Sequence, residues 1–315
     1  MDDLFRIPLG DWIAAGVDWL RDNAAGAFDG IAAVIGALVD GVEDALLFIP
    51  GWIVVAVIVA IAAWRVGWRF GVFAFLALGL IVGMQLWQET MSTLALILSA
   101  TAVSLAAGIP LGIWASRSDR VQTALRPVLD LMQTLPPFVY LIPAAMFFGI
   151  GKVPGALATI IFSMPPAVRL TNLGIRQVPK EIVEAGRAFG CTDRQLLFKV
   201  QIPNAMPSIM AGVNQAIMLS LSMVVIASMI GAGGLGNTVL TGIQRLDVGL
   251  GFEGGLGVVV LAVLLDRITQ SFGRTKARES LLQRVRGALM RRGARAGALP
   301  GRPGTAGPEA REPGG

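Results

Sequence analysis

Between Gly51 and Asp266 the chain is largely a succession of apolar runs, several near the ~20 residues a helix needs to cross a bilayer. With 54% of residues hydrophobic and 15% charged, this pattern specifies an all-α polytopic membrane protein. The chain has no histidine and one cysteine, Cys191, so a disulfide framework is excluded and a His/Cys metal site lacks ligands. Cys191 reads as a small packing residue. The net charge of +5 is distributed as in a membrane protein and is not a nucleic-acid footprint, so no nucleic-acid partner is expected.

Charge sets the expected topology. Residues 1–44 carry nine acidic side chains against Arg6 and Arg21, with no basic segment ahead of an apolar core. They read as an acidic extracytoplasmic segment and not as a cleaved leader. Trp12, Ile13, Val17, Trp19 and Leu20, then Ile31, Val34, Ile35 and Leu38, predict amphipathic helices on the bilayer surface. Residues 45–87 form two accessory spans, Leu46–Ala63 and Phe70–Trp87, joined by an inner turn with Arg65 and Arg69 among interfacial tryptophans. Gln88–Thr90 is expected as an outer turn. A transport core over 88–273 holds the spans Met91–Ala115, Pro127–Ile150, Pro154–Leu173, Ala205–Ile230 and about Gly254–Asp266.

Seven spans put every basic loop on the inner side, with the N-terminus outside and the C-terminus inside. From Arg267 onward eleven Lys/Arg face three glutamates, and 274–315 is expected to be a basic, largely disordered cytoplasmic tail. The tail reads as orientation charge, contact with anionic membrane lipids being the alternative.

Adjacent prolines punctuate two spans: Pro136-Pro137, with Pro143, in the fourth, and Pro165-Pro166 in the fifth. Each removes a backbone hydrogen bond, a loss tolerated in a bilayer only against protein or a water-lined cavity. Pro136-Pro137 beside Gln133 and Thr134 therefore predicts a bend facing other helices, either a hinge or a static kink. Polar residues at membrane depth, Gln133, Thr134, Tyr140, Asn214, Gln215, Ser220 and Ser222, are candidates for a translocation path. After the sixth span, Gly231-Ala232-Gly233-Gly234-Leu235-Gly236-Asn237 is too glycine-rich for a stable helix, each glycine costing roughly 1 kcal/mol against alanine. A tight outer loop carrying Gly233, Gly234 and Gly236 is expected there. Strand–loop–helix context and a following Lys-Ser/Thr are missing, which argues against a phosphate-cradling loop.

One stretch inside this apolar chain is polar and heavily punctuated: Pro179 to Pro203. Pro179 suits a first helical turn, and Ile182, Ala185, Gly186 and Phe189 share one face at helical spacing. Gly190 is a C-terminal stop. Thr192 and Gln195 have capping-box spacing for a second helix, which Pro203 is expected to end. Lys180, Arg187, Arg194 and Lys199 place this helix–turn–helix on the inner side. The small residues Ala185 and Gly186 would let another backbone approach closely, as on a docking knob.

Glu184-Ala185-Gly186, then Gly190, then Val200-Gln201-Ile202-Pro203 resembles the EAA loop of ABC-importer permeases, with Gly186, Val200 and Ile202 departing mildly from that family's Ala, Ile and Leu. The resemblance extends over roughly 85–273 through Met132–Leu141, Phe198–Pro203, Ile209–Gln215 and Ser222–Ile230. These stretches are similar to the permeases of glycine betaine/proline betaine (osmoprotectant) importers. It implies a type I importer permease fold with a cytoplasmic coupling helix, in the bacterial cytoplasmic (inner) membrane. It further implies an ABC ATPase subunit, a substrate-binding protein and a second permease copy as partners. Lys180, Glu181, Glu184, Ala185, Gly186, Phe189, Gly190 and Pro203 would couple the chain to the ATPase.

No G-x-x-x-x-G-K-[ST] occurs, so the chain is not expected to be an enzyme: ATP and Mg belong to the partner and no cofactor to this chain. The single tyrosine, and seven tryptophans all ahead of Ala115, argue against an aromatic cage here and for recognition on the separate binding protein. Choline, carnitine, proline or an amino acid stays open as substrate. The rival classes are a secondary transporter, disfavoured by spans holding little beyond Asp130 and Asp266, and a scaffold or receptor subunit, which leaves the docking loop unexplained.

Overall fold

The computed structural model describes residues 9–273, and these are helical almost throughout, without a strand. The helices are α1 (Leu9–Phe48), α2 (Gly51–Arg65), α3 (Trp68–Gly83) and α4 (Trp87–Arg117). There follow α5 (Asp119–Thr134), α6 (Pro137–Phe148), α7 (Lys152–Arg176) and α8 (Lys180–Ala188). The last are α9 (Asp193–Gln195), which runs through a π turn (Leu196–Gln201) into α10 (Ile202–Ser228), then α11 (Gly234–Arg245) and α12 (Val248–Gly273). The basic tail, and the acidic Asp2 and Asp3, lie outside the described residues.

Among the described residues, four helices are individually long and apolar enough to cross a membrane: α4, α7, the α9–α10 unit and α12. Two bent pairs add to them, α1 with α2 at 100° and α5 with α6 at 96°, and α3 is a shorter apolar helix. The expected fourth span is thus two helices: Leu135 is extended (φ −68°, ψ 135°) and Pro136 and Pro137 follow. Two adjacent residues without N–H groups weaken the ladder, and the residue before a proline is disfavoured in the helical region, here Leu135.

The centre of the protein is α4, α7 and α10. Small residues let their backbones meet: a Cβ on Gly112 would lie 2.6 Å from the Val168 carbonyl, and one on Gly174 2.6 Å from Ser208 Cβ. A Cβ on Gly212 would lie 3.2 Å from the Pro166 carbonyl, and Pro165 and Pro166, through which α7 runs on without a break, are buried inside protein. Hydroxyls stitch the contact, with Ser104 Oγ 2.8 Å from Ser163 Oγ and Thr101 Oγ1 donating to Ser220 Oγ at 3.0 Å. Where lipid is as apolar as leucine, close backbone packing and such bonds hold helices together.

Two sequence expectations change around this core. α1 is one helix with a break at Ala24, and its second part is only in part a surface helix: Ile31, Val34 and Leu38 are exposed while Ile35 and Val39 are not. Ile35 and Val39 are buried against Leu96, Ala100, Ala156 and Ile160. Phe28 stacks on Phe147 with centroids 4.4 Å apart, and Lys152 bridges Asp40 at 3.1 Å and Glu43 at 2.7 Å. Periodicity reveals an apolar face but not whether lipid or protein covers it. α1 also keeps Leu46–Phe48, so the first accessory span begins only at Gly51; α2 and α3 have 15 and 16 residues. Gln88–Thr90 lies in the first turn of α4, the turn itself being at Met84–Leu86, where Gln85 takes φ 59°.

The glycine-rich segment is the other correction. Only Met229–Gly233 is loop; α11 begins at Gly234 and runs to Arg245, where no helix was expected. Gly234 has φ +69° and abuts Thr93, whose Oγ1 accepts from the Leu235 N–H at 2.8 Å. Gly236 sits against the Val224 backbone, and Gly242 against Gly251. Absent side chains let α11 lie directly on α4, α10 and α12, and this burial outweighs the weak helix propensity of glycine.

Candidate coupling loop and transport path

α8 has the limits that its punctuation dictates. Pro179 stands in the N-cap position, and the helix closes on Gly190 at φ +78°. The Gly190 N–H donates to the Arg187 carbonyl at 2.9 Å and the Cys191 N–H to the Gly186 carbonyl at 3.1 Å, the paired bonds of a Schellman cap. Thr192 then opens the next helix: its Oγ1 accepts from the Gln195 N–H, and Gln195 Oε1 accepts from the Thr192 N–H at 3.0 Å.

Pro203, expected to end this second helix, does not. The chain passes without interruption through the π turn into α10, so the second helix of the loop is the inner end of a membrane span. Ahead of the proline the Ile202 N–H reaches back five residues to the Leu197 carbonyl. That wider spacing relieves the clash a proline ring makes with the carbonyl four residues earlier.

The loop presents two faces. Inward, Val183 and Gly186 approach the π turn, where a Cβ on Gly186 would lie 2.7 Å from Leu196 Cδ1 and 3.7 Å from Val200 Cγ2. Gly186 thus faces the π turn of its own chain, and the end of the Leu196 side chain would have to give way to a Cβ there. Outward, Ile182, Ala185 and Phe189 stay exposed, Phe189 at 90%. Lys180, Glu181 and Glu184 are exposed beside them. Behind α8 a polar cavity of about 500 Å³ is lined by Arg117, Arg176, Lys180, Glu184, Arg187 and Asp193 among others. Arg176 fixes its wall, bonding Asp119 at 2.7 Å, the Ala115 carbonyl at 2.8 Å and Asn172 at 2.9 Å. Cys191 is half-buried.

The seven path candidates are not gathered in one place. Ser220 is buried in the α4–α10 contact, bonded to Thr101 and to the Ala216 carbonyl. Asn214 Nδ2 donates to Asp266 of α12 at 3.1 Å, while its Oδ1 is buried without a partner. The Tyr140 hydroxyl donates back across the α5–α6 break to the Met132 carbonyl at 2.5 Å. Gln133 is half-buried, and Thr134, Gln215 and Ser222 are exposed. Gln215 and Ser222 share an open stripe of α10 with Ala211 and Met218, at spacings of three and four residues. That stripe, and the exposed Phe138, Ile142 and Met146 of α6, are surfaces that no other described helix covers. Sequence reasoning missed Leu196 and Val200, the seat of α8, because a continuous span gives no sign of which neighbour it carries.

Comparison with known proteins places this geometry. Residues 108–278 match the family model of the binding-protein-dependent transport system inner membrane component. The chain is 50% identical over 269 residues to the glycine betaine/proline betaine transport system permease protein ProW of Escherichia coli (strain K12), covering 85% of this chain and 76% of that one. It is also 50% identical over 273 residues to the glycine betaine transport system permease protein OpuAB of Bacillus subtilis (strain 168), covering 86% and 96%. To the glycine betaine/carnitine transport permease protein GbuB of Listeria monocytogenes it is 47% identical over 278 residues, covering 87% and 98%. Among solved structures, a chain of the inward-facing MetNI methionine ABC transporter matches with a TM-score of 0.54 at 20% identity, covering 60% of this chain and 94% of that one. At that identity the likeness concerns fold alone, and the fold is that of a type I importer permease. With a family model covering more than half its length and near full-length relatives at half identity, the chain belongs to the inner membrane components of binding-protein-dependent transport systems.

Proposed function

We propose that this chain is the permease subunit of an ATP-driven importer for glycine betaine and proline betaine. The observation that carries the reading is 50% identity extending over 96% of a glycine betaine permease. Two copies would enclose the path, with the exposed α10 stripe of Ala211, Gln215, Met218 and Ser222 on its wall. A substrate-binding protein would deliver solute from outside and two ATPase subunits would dock inside. The N-terminus would be outside and the C-terminus in the cytoplasm, as the charge of the loops dictates.

In this reading the chain contributes shape and force transfer but no bond chemistry. ATP and Mg are held by the ATPase, whose closure presses on α8 through Phe189, Ile182 and Ala185 and the flanking Lys180, Glu181 and Glu184. The exposed Phe189 supports this, since a fully solvated phenylalanine at a helix end gains stability only when something covers it. The core then switches between inward-open and outward-open packings.

Uptake of radiolabelled glycine betaine into vesicles holding this chain, its ATPase and its binding protein tests the reading. ATP-dependent uptake that unlabelled proline betaine displaces is expected. ATP-driven uptake of a different solute, with betaine ignored, would keep an importer and discard the osmolyte.

A further inference from the structure

α12 carries an acidic side chain, Asp266, among Leu264, Leu265 and Ile268 inside its membrane-spanning stretch. Ionisable groups are costly there and persist where they serve the interior of the helix bundle. Among the described residues no lysine or arginine pairs with it. Its Oδ1 instead accepts from two amides, Asn214 Nδ2 of α10 at 3.1 Å and Gln270 Nε2, one turn on in α12, at 2.7 Å. Both amides thus turn their donors to Asp266, and Asn214 Oδ1 is left buried without a partner. An amide forgoes a partner for its oxygen where the bond made by its nitrogen is worth more, and a bond to a carboxyl group in a low-dielectric interior is of that kind.

This bond lies on one flank of the open stripe of α10. At about 100° per residue, Ala211, Gln215, Met218 and Ser222 share one face, with Asn214 about 70° to one side and Gly212 about 90° to the other. Gly212 meets the Pro166 carbonyl of α7, and Asn214 meets Asp266 of α12. Ser220, on the opposite face, is bonded to Thr101 of α4. The remaining contact between α10 and α12, through Leu221, Val224, Leu261 and Leu264, is apolar. Apolar contact is non-directional, whereas a hydrogen bond fixes an angle.

α12 can serve as a post because it is itself held. Gly254 and Gly257 lie against Val239 and Leu235 of α11. At the inner end Arg65 of α2 donates from Nη2 to the Ser271 carbonyl at 3.3 Å, with its guanidinium 4.0 Å from the centre of the Phe272 ring.

We propose that Asp266 is a positioning residue for translocation: by holding Asn214 it fixes the rotation of α10 about its own axis and keeps Gln215 and Ser222 aimed into the path. Its carboxyl group acts as a hydrogen-bond acceptor and carries neither a proton nor an ion across. This rests on the functional reading above and adds to it the residue that sets the path wall.

The test uses the full chain with its ATPase and binding protein in vesicles, in a Cys191→Ser background with Gln215→Cys. A small water-soluble thiol reagent reports how far position 215 faces the path. Asp266→Leu removes the acceptor at similar volume, and labelling at 215 is expected to slow at least about tenfold, as is uptake per assembled transporter in the chain that keeps Gln215. Asp266→Asn keeps an oxygen for both amides, and both rates are expected to stay within about threefold of the parent. A purely structural contact would lower the amount of assembled transporter and leave both rates per transporter unchanged. Parental rates in Asp266→Leu overturn the proposal, and so does an Asp266→Asn chain as slow as Asp266→Leu.

A second arm decides the matter if Asp266→Leu does not assemble. Asn214→Asp sets two carboxyl groups against each other, and adding Asp266→Asn restores the pair with donor and acceptor exchanged. The single variant is expected to lose at least about tenfold in uptake per transporter and the double variant to recover to within about threefold. A double variant no better than the single one overturns the proposal. A parent that is not labelled at 215 removes the path wall and this inference with it. Labelling that depends on Asp266, with another solute carried in place of betaine, removes the osmolyte alone and upholds the inference.

Discussion

At the scale of single residues, two glycines are constrained by backbone geometry and for different reasons. Gly190, at φ +78°, has open space around its Cβ position, so only conformation restricts it. Asparagine tolerates the left-handed region, whereas other side chains cost roughly 1–2 kcal/mol there. Gly190→Asn should therefore retain most coupled uptake, while Gly190→Val should lose most of it with the permease still inserted; transport assays on the two variants decide this. Gly234 is limited twice, by φ +69° and by contact with Thr93, whose hydroxyl also caps the Leu235 N–H. Gly234→Ala should destabilise the folded chain by about 2–3 kcal/mol, combining strain with a lost buried hydrogen bond. Thermal unfolding in detergent measures it, and a midpoint unchanged from the parent would rule out this account of the glycine run.

At the scale of elements, α1 is fastened to α7 by Lys152 and to α6 by Phe28. The Lys152 pairs are partly solvent-exposed, so each contributes at most about 1 kcal/mol and weakens with salt. Lys152→Ala should make α1 more susceptible to proteolysis at low ionic strength, with the difference from the parent narrowing at high salt. A salt-independent difference would show that the aromatic and aliphatic contacts, not the ion pairs, carry the attachment. The sequence was legible for α8 because Pro179, Gly190, Thr192 and Gln195 act on their own neighbours within a turn. It was not legible for α11. There the deciding partners, Thr93, Val224 and Gly251, are distant in sequence or lie on other helices, and local propensity argued the opposite way. Pro203 misled for a related reason: a proline marks a missing hydrogen bond, and only the π turn shows that the helix absorbs the loss and goes on.

At the scale of the whole molecule, orientation can be tested with the chain as it stands. Cys191 is the one thiol in the sequence and lies at the α8 cap. A membrane-impermeant maleimide should label it in inside-out vesicles and not in right-side-out ones. The reverse pattern would overturn the N-out, C-in assignment and place the coupling loop away from any cytoplasmic ATPase.

The sequence alone determined that this is a helical membrane protein with a capped polar loop at Pro179–Pro203, because bilayer solvation and helix capping act over one element at a time. Its motifs also pointed to the importer permeases to which the comparisons assign it. Only the tertiary structure decided that α1 is partly a core helix, that the bend expected at Pro136-Pro137 reaches 96°, and that Gly186 faces Leu196. It likewise separated the path candidates into Ser220, locked in the helix core, and Gln215 and Ser222, open on α10. A residue's polarity and period are written in the chain, but which neighbour covers it depends on contacts between segments far apart in sequence.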